Sequence, residues 1–284
     1  MVVGLVGVVV LVRVFTRQPP GLVFEEPFEY WDPIAGMDPW SYVLREWHGY
    51  VTPNARLVFL IGRALDSVLF TRLAAAAVVA IVAMFLASER LAPAIPDRRV
   101  RLLFALSLAF LPVVGPYRGP LNDQWFVAIG LVGMALTTER RWWDYPLVFV
   151  GSLSGVAACL SWPTFRDPRG LVVLGVSIVM AGLIVVSDRR PSDPTMSTTV
   201  ATIVVGVVLG MFSPQLPLRT RLSFGYLALV TIGLGALTGP GEGAGTRYLT
   251  AGLAFIALVI AAHVVPALDW VMHPRRASRT RSSR

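Results

Sequence analysis

The chain has 284 residues, 55% of them hydrophobic and 15% charged, with a formal net charge of +8. A soluble domain carries about 25% charge, so this composition speaks against a soluble globular protein. All 25 basic residues are arginine, in short clusters between apolar blocks. That pattern signals membrane topology rather than a nucleic-acid surface. The single cysteine, Cys159, excludes an intramolecular disulfide and most structural zinc sites.

The apolar blocks approach the length a bilayer asks of a helix, about 20 residues, and do not alternate at period two. The expected fold is an all-α, polytopic transmembrane bundle of about 8–10 membrane segments, one of them broken or re-entrant. A single transmembrane domain covers 1–270, with 16–66 as a first extracytoplasmic loop carrying amphipathic helices. Residues 271–284 form a basic, disordered cytoplasmic tail. Met1–Val12 has no basic residue ahead of it and no small-residue cleavage site behind it. It therefore reads as part of a span, not a cleaved signal.

In chain order, the first span covers Val2–Phe15. Asn54–Asp66 has helical periodicity with Arg56 and Arg63 on a polar side, as a surface helix or the start of the next span. Further spans follow at Val68–Ala87, Arg101–Val114 and Asp123–Thr137. Pro146–Phe165 is apolar but broken by Ser, Gly and Pro. The last spans are Gly170–Val186, Thr199–Phe212, Leu222–Leu237 and Tyr248–Ala267.

Arginine-rich loops mark the cytoplasmic side. The loops around Arg90–Arg101 and Glu139–Arg141 both belong there. A single crossing by Pro146–Phe165 would put Arg166, Arg169, Arg219, Arg221 and the tail outside. A hairpin hinged near Ser154-Gly155 returns them inside, at the cost of moving Arg189, Arg190 and Arg247 out. The hairpin is the favoured reading, because Gly and Pro break helices where protein can cover the freed backbone. Arg13 and Arg17 alone argue for the opposite orientation and are outweighed.

On this topology one face collects an acidic and aromatic stretch. Six of the 17 acids lie between Glu25 and Glu46. The same face carries the turn holding Arg118 and Asn122, and a second turn holding Arg247. A carboxylate cluster beside two arginine-bearing turns suits an anionic lipid substrate. The competing reading is an ordinary solvated loop with an interfacial belt of Trp and Tyr. For Arg118 and Arg247 it is snorkelling to headgroups, and for Asn122 and Asp123 it is capping of a helix.

Four pieces in order, DPWSYVLREWHGYVTPNARL (Asp38–Leu57), LPVVGPYRGPLNDQWFVAI (Leu111–Ile129), GSLSGVAACLSWP (Gly151–Pro163) and TRYL (Thr246–Leu249), resemble one family. It comprises bacterial multi-pass membrane proteins related to the GT-C-type, polyprenyl-phosphate-dependent glycosyltransferases. The resemblance implies transfer of a sugar from a polyprenyl-phosphate donor to a glycan or lipid acceptor of the envelope. The reaction would run at the extracytoplasmic face of the bacterial cytoplasmic membrane. It implies Asp38 as general base, with Asp32 and Glu26 in reserve. Arg118 and Arg247 would hold phosphate, with Asn122, Trp125 and Tyr248 at the substrate. No particular cofactor is implied, a divalent metal is compatible with the carboxylates, and no nucleic acid is expected. The chain departs from the family in reading Met37-Asp38-Pro39-Trp40 where members show Glu-Asp-Trp, and in lacking the His that often precedes the second-turn Trp. The alternatives are a lipid or solute transporter or flippase component, and a membrane protein that keeps the fold without the chemistry.

Overall fold

The structure, a computed structural model, describes residues 1–18, 30–47, 50–111, 120, 123–182, 198–238 and 248–272. Their regular secondary structure is helical apart from an antiparallel ladder of two residues per strand. It is formed by β1 (Glu46–Trp47) and β2 (Tyr50–Val51), which pair Glu46 with Val51 and Trp47 with Tyr50. The α-helices are α1 (Val2–Arg17), α2 (Pro39–Val43), α3 (Pro53–Ala64), α4 (Val68–Ala87), α5 (Arg98–Ser107) and α6 (Asp123–Leu136). They continue as α7 (Asp144–Ser152), α8 (Val156–Cys159), α9 (Pro168–Gly182), α10 (Thr198–Met211), α11 (Leu218–Thr238) and α12 (Thr250–Met272).

Two helices, α4 and α12, are long and apolar enough to cross a membrane. Shorter apolar helices lie at Asp123–Leu136, Pro168–Met180 and Val200–Met211. α4 keeps its expected bounds, and its start is fixed by Ser67, whose hydroxyl accepts from the Phe70 amide at 3.2 Å. The next helix starts earlier than its expected Arg101, since Asp97 accepts from the Arg99 amide at 2.8 Å and caps it there. It tightens into a 3-10 turn at Leu108–Phe110.

Helix packing gives an up-and-down bundle with two ends. α1 runs antiparallel to α4, with Gly7 closed over by Met84 and Arg72 donating to the Gln18 carbonyl at 3.1 Å. At the far end of α5, Phe110 lies beneath Arg13, 5.3 Å from the ring centre. α10 and α12 run parallel: Gly252 meets Ile203 and Gly210 meets Phe255 and Val259. α11 lies antiparallel between their levels, with Gly225 against Met211 and Gly235 against Tyr248. One apolar core joins α1, α4, α5, α6, α10, α11 and α12.

The broken segment leaves one end and returns to it. Asp144 at the start of α7 and Arg169 in the first turn of α9 meet at 3.3 Å, and both side chains are fully buried. Between them the chain rises along α6 to a tip at Leu153–Gly155, next to Gln124, and comes back through α8 and a 3-10 turn at Trp162–Thr164. With α6 only 14 residues long, that climb is about 20 Å. The hinge expected at Ser154-Gly155 lies at this tip.

The outward faces of the helices are apolar. Leu5 and Val8 on α1, Leu147 and Phe149 on α7, Ile178 and Val179 on α9, Leu209 on α10, and Ile260 and Leu268 on α12 are all exposed. α3 corrects a sequence expectation. Its Leu57 and Ile61, with Leu65 just past its end, face outward, while Arg56 is wholly buried. Arg56 stacks over Tyr30 and Tyr42, 4.6 and 5.2 Å from the ring centres, and donates to the Arg45 carbonyl at 3.0 Å. Arg63 keeps its expected exposure, over Trp31.

Candidate functional site

The tip of the α7–α8 hairpin is built against the starts of α3 and α6. A helix that breaks inside a packed bundle frees amide and carbonyl groups, and each needs a partner. Gln124, in the first turn of α6, is 2% exposed, and its Oε1 accepts from the Ala157 amide at 3.2 Å. Asn54, in the first turn of α3, donates from Nδ2 to Ser154 Oγ at 2.9 Å and to the Val150 carbonyl. Its own amide donates to the Leu153 carbonyl at 3.4 Å. Gly155 between them has φ of +141°, and a Cβ there would run into the Gln124 carboxamide. Only glycine serves at that position.

One residue further along α6, about 100° round the helix, is Trp125. Its ring meets Tyr248, at the entrance to α12, edge to face, with centres 4.9 Å apart and planes at 68°. Both are buried, at 2% and 7% exposure. The Trp125 indole N–H is a buried donor with no acceptor among the described residues. The start of α6 is thus flanked by polar amides on one side and an aromatic pair on the other.

Above α3 sits a small aromatic cluster of Tyr30, Trp31, Tyr42 and Phe59. Tyr42 donates its hydroxyl to the Tyr30 carbonyl at 2.6 Å, and the Tyr30 and Thr52 hydroxyls lie 3.4 Å apart. Asp32 opens a 3-10 turn (Asp32–Gly36) on this cluster and is exposed. Asp38 is the N-cap of α2, with Oδ1 accepting from the Trp40 and Ser41 amides at 3.1 and 3.0 Å. Pro39 sits at the first helical position, where its missing N–H costs nothing. The Ser41 hydroxyl and amide, and then the Trp40 amide, hold the Asp38 carboxyl below the usual carboxylate range.

The structure therefore brings together Trp125 and Tyr248 from the expected site. Asp32 and Asp38 share the cap region over α3, and neither has a hydrogen bond or ion pair to that aromatic pair among the described residues. Glu26, Arg118, Asn122 and Arg247 lie outside the described residues. No group of three His, Cys, Asp or Glu among the described residues could hold a metal ion. Gln124 and Asn54 were not expected as site residues. Their signal in the sequence was an amide side chain in the first turn of an otherwise apolar helix. Comparison of the chain with family models, curated proteins and solved structures gives no match.

Proposed function

We propose that the chain is a polytopic protein of the bacterial cytoplasmic membrane that transfers a sugar from a polyprenyl-phosphate donor to a glycan or lipid acceptor of the envelope. The reaction takes place at the end of the bundle where α6 and α12 begin. Support for the membrane reading comes from the exposed apolar side chains on α1, α3, α7, α9, α10 and α12, which soluble monomers do not display in such extent. Eight helices, α1, α4, α5, α6, α9, α10, α11 and α12, then run end to end, with α7 and α8 as a re-entrant pair and α3 along the interface.

One observation carries the catalytic reading: Trp125 and Tyr248, 123 residues apart in sequence, meet at 4.9 Å. Arg118 and Asn122 precede Trp125 by a few residues in the sequence and Arg247 adjoins Tyr248, and on this reading they serve the same site. In the reaction the acceptor oxygen bonds to the sugar C1 as the bond from C1 to the phosphate oxygen breaks. Polyprenyl phosphate leaves with that electron pair, and the acceptor proton passes to a carboxylate. Arg118 and Arg247 neutralise the leaving phosphate. Asp38 receives the proton, with Asp32 and Glu26 as the other carboxylates of this face. The amides of Trp40 and Ser41 hold the Asp38 carboxylate in place, and it takes the proton as the acceptor oxygen bonds to C1.

Asp38→Asn is the clean test, since Asn caps a helix as well as Asp does. Purified variant and wild type are compared for transfer from a polyprenyl-phosphate sugar, alongside thermal unfolding in detergent. The expected result is lost transfer with unchanged melting. Full activity removes Asp38 as the base. Absence of transfer by the wild type, together with solute uptake into proteoliposomes, favours the transporter reading, for which the discontinuous hairpin at Gly155 is the motivating observation.

A further inference from the structure

At the end of the bundle opposite the candidate site, ion pairs tie the helices together in a line. Asp269, near the close of α12, meets Arg99 at the start of α5 at 2.5 Å. Arg101 of α5 meets Glu89, just beyond α4, at 2.6 Å. Arg90, the next residue, meets Asp144 at the start of α7 at 2.7 Å, and Asp144 meets Arg169 in the first turn of α9 at 3.3 Å. Each contact joins the start or close of one helix to that of its neighbour, so the line marks one height from α12 round to α9.

Exposed tryptophans adjoin this line at two of its acids. Trp270 follows Asp269 and is 65% exposed, while Trp142 and Trp143 come just before Asp144 and are 77% and 39% exposed. The neighbouring indoles meet edge to face with centres 5.6 Å apart, and Arg141 lies over the Trp143 ring at 5.3 Å. Arg140 and Arg141 are exposed beside them. Away from this end the surface turns apolar at once: Leu147 and Val150 follow on α7, and Val264 and Leu268 precede on α12, all exposed. An indole carries a broad apolar body and one N–H donor, so it suits the boundary between hydrocarbon and water better than either side of it. The height agrees. Trp270 lies 20 residues beyond Thr250, the start of α12, which is about 30 Å of helix and matches the hydrocarbon core of a bilayer.

We propose that Trp142, Trp143 and Trp270 seat this end of the bundle in the phospholipid headgroup layer of one leaflet, with Arg140 and Arg141 reaching lipid phosphates. This rests on the membrane reading above but not on the transferase reading. The indoles lie where α7 and α12 leave hydrocarbon, and the line of ion pairs runs at the same height, inside the polar layer, where paired charges are tolerated.

The test is tryptophan fluorescence of the full chain in phosphatidylcholine vesicles. Wild type is compared with Trp142→Phe, Trp143→Phe and Trp270→Phe, and the emission each variant loses is assigned to the indole removed. Quenchers are phosphatidylcholine brominated near the headgroup end of its acyl chains, the same lipid brominated near the methyl end, and aqueous iodide. The expected result for all three indoles is strongest quenching by the headgroup-end bromines, less by the methyl-end bromines and little by iodide. The three side chains are exposed, and they come from two separate elements, so Trp270→Phe carries the test if a variant in the Trp142–Trp143 pair fails to fold. Strongest quenching by iodide would put this end in water, and strongest quenching by methyl-end bromines would put it deep in the bilayer. Either outcome overturns the proposal while leaving a vesicle-bound protein and the membrane reading in place. Wild type that stays behind when the vesicles are floated removes the membrane reading and this inference together.

Discussion

Two buried guanidinium groups, one at each end of the molecule, are stabilised in different ways. Arg56 lies beneath the rings of Tyr30 and Tyr42 and donates to a backbone carbonyl. Arg169 is met by the carboxylates of Asp144 and Asp167 and by the Thr137 hydroxyl at 3.0 Å. Aromatic faces and carbonyls can stabilise a buried cation without drawing in an acid. At the Arg169 end two acids are withdrawn from water to neutralise arginines. At the Arg56 end the described acids Asp32 and Asp38 stay at the surface. Asp32 and Asp38 thus face water, whereas Asp144 and Asp167 are held in ion pairs at the foot of the hairpin.

The largest test of this contrast is Arg169→Ala. It strips Asp144 and Asp167 of a shared cation and loosens both feet of the hairpin, so a loss of about 3–5 kcal/mol in detergent unfolding is expected. A smaller loss would mean that Arg90 alone neutralises Asp144. Gly155→Ala attacks the hairpin at its tip instead. A side chain at φ of +141° that also displaces Gln124 should cost about 1–3 kcal/mol. At the aromatic end, Tyr42→Phe removes one hydroxyl donor from the Tyr30 carbonyl but keeps the ring over Arg56. About 1 kcal/mol is expected, and a loss matching that of Arg169→Ala would erase the difference between the two ends.

Acidification separates the ends further. Burial raises the Asp167 pKa, but the hydrogen bonds and charge of Arg169 outweigh it, and the net shift is downward. A carboxylate with a lowered folded pKa stabilises the fold above its unfolded pKa. That stability disappears as pH falls through the folded value. Melting temperature should therefore drop below the ordinary carboxylate range, and Asp167→Asn should flatten the drop. The smallest effect belongs to Arg99→Gln. Its pair with Asp269 is exposed to water, and no change in melting temperature is expected.

Much of this fold is written in local residue patterns. Apolar runs end where caps and arginines begin, and Ser154-Gly155 gave away the hinge because a strained φ needs glycine. α3 misled for a physical reason. Two arginines at helical spacing normally mark the wet side, but here the outer side is the apolar one, and Arg56 turns inward to rings that are distant in sequence. The aromatic pair at the candidate site was legible as Trp125 and Tyr248 singly, while their contact depends on how α6 and α12 pack. Asp38 was legible as an acid beside Trp40, but its cap geometry follows from Pro39 and the short α2, which a motif comparison overlooks.

The α7–α8 segment comes back to the end of the bundle it set out from. On the membrane reading proposed above, the eight helices that run from end to end are an even number, so the beginning of α1 and the close of α12 would share one compartment. Reporter fusions placed ahead of α1 and behind α12 would give the same readout, and a fusion in the segment joining α11 to α12 would give the other.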